Sequence, residues 1–357
     1  MIGIDQPTEL RPGEELDEKA LREYLSSQLD QISALAPLQL QQFPGGHSNL
    51  SYLITQGEQE LVLRKPPLGS KVKSAHDMGR EYRVLSKLGP THSRAPTPLL
   101  YCQDSSIIGS SFYLMERVRG FILRKDFPDD VPSRPELLQR MCTSFVQTLA
   151  DLHAVDYQRI GLGELGRPEG YVERQVQGWS KRYQDAKTHE VPTVDFLAAW
   201  LGEHMPANAP QATLIHNDFK FDNLVLAPKD LSEVLGILDW EMTTLGDPLM
   251  DLGTALGYWV QANDSPAMHS LRFGPTHLPG MMSRQELAEA YASLTGCPLE
   301  HILFYYVFGL FKSIGVVQQI YYRFHKGLTK DARFASFIDA VRALSDQANL
   351  AIERQAL

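Results

Sequence analysis

The sequence predicts an α+β chain of two lobes, a small β-rich one followed by a larger, mainly helical one. Its 357 residues exceed the usual size of one domain. Across residues 38–118, short apolar or alternating runs recur between glycines, the pattern of strands and turns. From residue 133 onward, apolar residues instead return every three or four positions over long stretches, the pattern of helices. The expected division is a helical N-terminal extension at 1–37, a β-rich N-lobe at 38–118 and an α-rich C-lobe at 119–357.

Composition narrows the function classes. Hydrophobic residues at 43% and charged residues at 22% exclude global disorder. A net charge of -9 and a pI near 5.7 argue against nucleic acid or an anionic membrane surface as partner. Cys102, Cys142 and Cys297 lie far apart with no Cys-x-x-Cys pair, so neither a disulfide framework nor a zinc site is expected. Residues 1–13 carry Asp5, Glu9 and two prolines where a signal peptide would be basic and then apolar, and a cytoplasmic protein is expected.

Residues 14–30 place Leu16, Leu21, Tyr24, Leu25 and Leu29 on one side of a helix packed outside the first lobe. Runs at 38–43, 51–55 and 60–64 then read as strands. The turn Pro44-Gly45-Gly46-His47-Ser48-Asn49 joins the first two; its backbone N–H groups could close over phosphates, or it is a plain hairpin loop. The next strand delivers Arg64 and Lys65 before Pro66-Pro67 stop it. Alternation puts Arg64 on the face of Val62 and Lys65 on the other, so a nucleotide pocket lined by Val62 would offer its phosphates to Arg64. The other reading leaves both cations solvated at the end of an edge strand.

Residues 77–88 form a helix whose Glu81 either turns inward to Arg64 or belongs to an exposed Arg80-Glu81-Tyr82-Arg83 pattern. Strands follow near 99–103 and 112–118; the second is the natural connection between the lobes, and backbone groups from Glu116 to Val118 would then be placed to bind an adenine edge. In the second lobe, Ser133-Arg134-Pro135-Glu136 has capping-box spacing ahead of a long apolar helix that ends at His153. That histidine reads as catalytic or, more simply, as structural. Helices are expected near 172–185, 194–204, 283–294, 299–325 and 331–354. Residues 302–322 are apolar enough to raise the question of a membrane span, but Lys312, Gln318 and Gln319 interrupt them and favour a buried helix.

The chemistry concentrates in His216-Asn217-Asp218-Phe219-Lys220-Phe221-Asp222-Asn223 and Gly236-Ile237-Leu238-Asp239-Trp240-Glu241. Phosphoryl transfer needs aligned oxygens, neutralised phosphate charge and a group to accept the acceptor's proton. Asp218 and Asn223 are spaced as the Asp and Asn of a kinase catalytic loop, and Asp239 stands where a second metal-holding carboxylate would follow. Asp218 can take or orient the hydroxyl proton, while Asn223 and Asp239 offer oxygens to Mg²⁺. Apolar runs around them bring Asn223 and Asp239 to neighbouring loop ends. His216 shapes the loop, and Asp251 either accepts hydrogen bonds from it or, like Asp247, caps a helix. A metal-dependent hydrolase would use such carboxylates but would not explain the upstream glycine turn, strand cation and helical glutamate.

Both stretches, with residues 242–253 after them, resemble the aminoglycoside phosphotransferase and choline kinase-like family. Within it the chain is most similar to the phosphotransferase domain that some animal proteins carry joined to acyl-CoA dehydrogenase domains. Gly166-Arg167-Pro168-Glu169-Gly170-Tyr171, Glu173-Arg174-Gln175 and Trp179 resemble that branch too. The resemblance covers nearly everything from Leu38 onward. It implies a bilobal protein-kinase-like fold, ATP and Mg²⁺ as cofactors and a small-molecule hydroxyl as acceptor. It also makes Asp218 the base, Asn223 and Asp239 metal ligands, and Arg64 the phosphate cation with Glu81 as partner. Asn217 before the aspartate, Trp240-Glu241 after Asp239 and the lack of an Ala-Pro-Glu segment depart from protein kinases.

For the acceptor, the animal domains suggest a hydroxyacyl-CoA or hydroxy acid, whose anionic groups Arg167, Arg174, Lys181 and Arg182 could serve unless they are solvated helix charges. An aminoglycoside or choline-like amine would require an acidic acceptor site. A nucleotide-binding regulator without turnover would need no base.

Overall fold

The computed structural model describes residues 5–44, 49–67, 77–206, 211–329 and 331–357. Gly45, Gly46, His47 and Ser48 of the glycine turn lie outside the described residues. The fold is α+β. In order the elements are α1 (Glu18–Gln28), β1 (Gln39–Gln42), β2 (Leu50–Gln56), β3 (Gln59–Lys65), α2 (Met78–Leu88), β4 (Pro98–Cys102), α3 (Ser105–Ile108), β5 (Phe112–Glu116) and β6 (Phe121–Ile122). Then come α4 (Pro135–His153), α5 (Tyr171–Ala186), α6 (Pro192–Glu203), β7 (Thr213–Ile215), β8 (Leu224–Ala227), β9 (Asp230–Ile237) and β10 (Thr244–Gly246). Helices α7 (Pro248–Tyr258), α8 (Pro266–Ser270), α9 (Arg284–Thr295), α10 (Ile302–His325) and α11 (Phe337–Arg354) complete the chain.

Two compact units divide it. The first comprises Met1–Ile122, Leu224–Asp230 and Val234–Thr243; the second comprises Leu123–Asn223, Leu231–Glu233 and Thr244–Leu357. The division is therefore not a single cut after residue 118, because the β8–β9 hairpin returns to the first unit. Its strand β8 pairs there with β6, Phe121 opposite Leu226 and Ile122 opposite Val225, while Leu224 stands opposite Ile237 within the hairpin.

An antiparallel sheet of order β1-β2-β3-β5-β4 forms the first unit. The strand β3 lies at its centre, so Arg64 and Lys65 are interior residues and not the solvated end of an edge strand. Helix α1 is no outlying extension. Asp17 caps it by accepting from the Ala20 N–H, and Leu21 and Leu25 are fully buried in one core with Tyr52, Leu63, Phe112 and Leu114. Burying each such leucine stabilises by roughly 1.5–3 kcal/mol, enough to hold the amphipathic helix to the sheet. The strand β5 stops at Glu116, two residues short of the expected end, and leaves Val118 outside the ladder.

Helix α10 organises the second unit, packing on α5, α6, α7 and α11. Among the described residues it is the one helix long and apolar enough to cross a membrane, yet 67% of its most apolar window is buried within the protein. It meets α7 at glycine. A Cβ on Gly309 would lie 2.1 Å from the Gly253 carbonyl oxygen, and one on Gly253 2.1 Å from the Tyr305 oxygen, so no larger residue fits at this approach. Helix α4 begins at Pro135 with Arg134 at the cap position and no side-chain cap, so Ser133 does not form the expected capping box. Proline at the first position removes one of the free N–H groups of the helix start and presets the helical φ. A capping box does close α9, between Ser283 and Glu286.

Candidate active site

In the first unit, strand and helix geometry converge on Arg64. Its Nη2 donates to Asp239 Oδ1 at 2.9 Å, and its Nη1 lies 3.3 Å from Glu81 Oε1. Asp77 caps α2 and fixes the rotation that turns Glu81 inward with Met78, Val84 and Leu85. Burial opposes the charge on Arg64, but Glu81 and Asp239 beside it hold the guanidinium pKa well above its ordinary value. Burial also pushes the Glu81 carboxyl up, against the pull of Arg64. Lys65, on the opposite face of β3, donates to the Ile108 carbonyl at 2.9 Å and takes no part in this cluster.

Asp239 follows β9 in the left-handed region, at φ 66°, which aspartate tolerates better than most side chains. Its carboxylate stays 31% exposed. Trp240 behind it is buried and donates from Nε1 to the Ile237 carbonyl at 2.8 Å, while Glu241 accepts from Asn49 Nδ2 at 2.7 Å. Asn49 thus braces the segment after Asp239. The Glu116 N–H is committed to the Thr97 carbonyl at 2.9 Å, and the Val118 side chain lies against Gly236.

In the second unit, the loop after β7 presents Asp218. One carboxylate oxygen accepts from the Tyr258 hydroxyl at 2.7 Å; the other accepts from Lys220 Nζ and from Asn223 Nδ2, both at 2.8 Å. Burial opposes ionisation of Asp218, but the Lys220 and Lys312 cations and the Tyr258 hydroxyl hold its carboxyl below the usual range. Asn223, in the 3₁₀ turn Phe221–Asn223, also donates from Nδ2 to the Asp218 carbonyl at 2.8 Å. The Asn223 side-chain nitrogen is thus spent on Asp218.

The loop is anchored by Asp251. Its Oδ2 accepts from the His216 N–H at 2.6 Å and from His153 Nε2 at 3.1 Å, and its Oδ1 accepts from the Asn217 N–H at 2.7 Å. Asp247 caps α7 by accepting from the Leu249 N–H at 2.8 Å, so the two acids divide the roles that the sequence left open. His216 Nδ1 accepts from the Asp218 N–H at 3.2 Å. Both ring nitrogens of His153 are engaged, with Asp251 and with the Tyr291 hydroxyl at 2.6 Å, and not with helix-end carbonyls.

Four residues escaped the sequence reading: Tyr171, whose hydroxyl donates to Asn217 Oδ1 at 3.2 Å; Lys220; Tyr258; and Lys312, which donates to the Asn217 carbonyl. Lys220 also lies over the Tyr258 and Phe273 rings, at 4.9 and 5.1 Å. Three of the four cations suggested for an anionic acceptor group make other contacts. Arg174 donates to the Glu169 and Arg167 carbonyls, Lys181 pairs with Asp185 at 2.8 Å, and Arg182 stacks 4.7 Å from the Trp179 ring.

Among the described residues no three His, Cys, Asp or Glu side chains gather as a metal cage. Within the first unit, Asp239 keeps a part-exposed carboxylate, an oxygen donor of the kind that hard dications take.

Comparison with known proteins gives the family. The APH phosphotransferase enzyme family model matches residues 39–287. Mouse acyl-CoA dehydrogenase family member 10 is 35% identical over 353 residues, covering 98% of this chain and 32% of that protein. Human acyl-CoA dehydrogenase family member 11 is 33% identical over 349 residues, covering 96% and 44%. The chain therefore spans about a third to under half the length of these relatives. A candidate aminoglycoside phosphotransferase from Ralstonia eutropha JMP134 superposes with a TM-score of 0.80 at 29% identity, covering 95% of this chain and 99% of the other. Choline kinase from Cryptosporidium parvum Iowa II shares the fold, with a TM-score of 0.60 at 12% identity over 94% and 98% of the two chains. With the match spanning residues of both units and the kinase-like fold in common, the chain belongs to the APH phosphotransferase enzyme family.

Proposed function

We propose that the enzyme transfers the γ-phosphoryl group of Mg²⁺-ATP to the hydroxyl of a hydroxyacyl-CoA or a related hydroxy acid, in the cytoplasm. The observation that carries the reading is the hydrogen-bonded set on Asp218, in which Asn223 and Lys220 share one oxygen and Tyr258 holds the other. An aspartate fixed this way points a defined carboxylate edge at an incoming hydroxyl, which orients the nucleophile and takes its proton as the bond to phosphorus forms. Bound Mg²⁺ would neutralise phosphate charge, with Asp239 and Asn223 as its protein ligands. Arg64, paired with Glu81 and Asp239, would offer a fixed cation to the phosphates.

Two features favour an anionic or neutral acceptor over an amine. The carboxylate of Asp218 already meets an ammonium at 2.8 Å, with Lys312 as a second cation acting on it. A cationic acceptor would need further acids there, and the lysines work against it. The relatives that align along nearly the whole chain carry names of acyl-CoA dehydrogenases, which directs attention to acyl-CoA chemistry.

The test is a nucleotide-consumption screen with Mg²⁺-ATP over hydroxyacyl-CoAs, hydroxy acids, amino alcohols and aminoglycosides, with Asp218→Ala as blank. Turnover is expected on the first two classes. Turnover confined to the amines would overturn the acceptor assignment, and none on any class would favour a nucleotide-binding regulator.

A further inference from the structure

We propose that Lys312 is a positioning residue of the phosphoryl-transfer reaction, clamping the peptide between Asn217 and Asp218 so that the Asp218 carboxylate keeps its aim. The inference rests on the reading of Asp218 as the group that receives the acceptor's proton.

Lys312 is 3% exposed and sits in the middle of α10 between buried Phe311 and buried Ile314. An ammonium in such surroundings is costly to bury and persists where it is hydrogen-bonded and countered by charge. Its hydrogen bond goes to the Asn217 carbonyl. The acids acting on it are Asp218 and Asp251, and the like charges are Lys220 and Arg182. Helix α10 therefore delivers its buried charge to one place, the backbone of the loop that carries Asp218.

That backbone needs holding. Asn217 has φ 66°, a left-handed conformation that carries a steric cost outside glycine and is least costly for asparagine and aspartate. Its N–H is bound by Asp251 and its side-chain oxygen by Tyr171. The peptide that follows is gripped at both edges: the oxygen by Lys312 and the N–H of Asp218 by His216 Nδ1. Rotation of this peptide plane would swing the Asp218 side chain away from Tyr258 and Lys220. Without Lys312, the oxygen side of the plane has lost its charged donor and the turn is free to rotate.

The experiment compares the parent with Lys312→Met, Lys312→Arg, Lys312→Gln and Asp218→Ala. The assay uses Mg²⁺-ATP and the hydroxyacyl-CoA or hydroxy acid that turns over fastest in the screen, or water as acceptor where none does. Because misplacing a reacting group by about an ångström can cost 10²-fold, Lys312→Met is expected to lower kcat by about that factor. Its KM for ATP should stay within about twofold, and Lys312→Arg should recover most of the loss, a pattern that a packing defect would not give. A Lys312→Met kcat within about threefold of the parent, alongside a Asp218→Ala loss of about 10²-fold or more, overturns the clamp and leaves the Asp218 assignment standing. Full turnover in Asp218→Ala instead removes the assignment itself. Should Lys312→Met fail to fold, Lys312→Gln decides by hydrogen exchange. Faster exchange at the Asn217 and Asp218 amides, with the remainder of the second unit unchanged, is the expected result, and unaltered protection overturns the proposal.

Discussion

Replacing Asp251 with alanine would strand two buried backbone donors at once, the N–H groups of His216 and Asn217, now held at 2.6 and 2.7 Å. Hydrogen bonds to a charged group are worth about 1.5–3 kcal/mol each, so the pair contributes roughly 3–6 kcal/mol. The loss is large against a typical total stability of about 5–15 kcal/mol. At about 2–4 °C per kcal/mol for a unit of this size, Tm should fall by something on the order of 6–24 °C. Asp251→Asn keeps one acceptor oxygen but turns an NH₂ toward a backbone N–H, so an intermediate fall is expected. Circular dichroism melts and urea titrations of the three proteins check the order. A fall of less than about 2 °C in the alanine variant would refute the claim that Asp251 anchors the loop.

The same residue has a pH signature. Burial opposes its charge, but His153 and the loop amides hold its carboxyl below the usual range. The unfolded chain, with a carboxyl pKa near 3.9, then binds more protons than the folded one in the window below that value. The Asp251 contribution is therefore present in full above about pH 4 and is lost as pH falls through the lower folded value. Asp251→Ala should flatten this part of the stability–pH curve.

Three further outcomes are expected. Asp218→Ala should retain nucleotide binding and lose about 10²- to 10⁴-fold in kcat, read by steady-state kinetics; unchanged turnover would sink its role. Asp239→Ala should weaken Mg²⁺-ATP binding, and equal affinity by calorimetry would count against a metal ligand there. Gly309→Ala places a methyl 2.1 Å from the Gly253 oxygen, and overpacking of this kind costs about 1–3 kcal/mol. A Tm within a degree of the parent would show that α7 and α10 yield easily.

The parts of the site that sequence could reach were those set by local rules. Strand alternation separated Arg64 from Lys65, and the structure puts them on opposite faces of β3. Motif spacing singled out Asp218 and Asn223, which share a hydrogen bond, and Asp251 in the first turn of α7. What stayed hidden depends on partners far along the chain. Tyr258 reaches Asp218 across 40 residues and Lys312 reaches Asn217 across 95. No periodicity encodes either pairing. A signal for Lys312 did exist, since a single charge inside an apolar helix is seldom buried unpaired, but it registered only as an argument against a membrane span. The placement of α1 failed for a related reason: amphipathicity tells that a helix packs, not on what.

The close approach of α7 and α10 at Gly253 and Gly309 bears on how the enzyme is made. Every motif residue of the loop has been synthesised by Asp251, and the family model ends at residue 287, yet the lysine that grips the loop arrives at 312. A growing chain thus carries a complete signature before it carries a braced loop, and α10 must dock against the glycine surface of α7 to finish it. Boundaries drawn by motif alone would cut away the helix on which the motif leans.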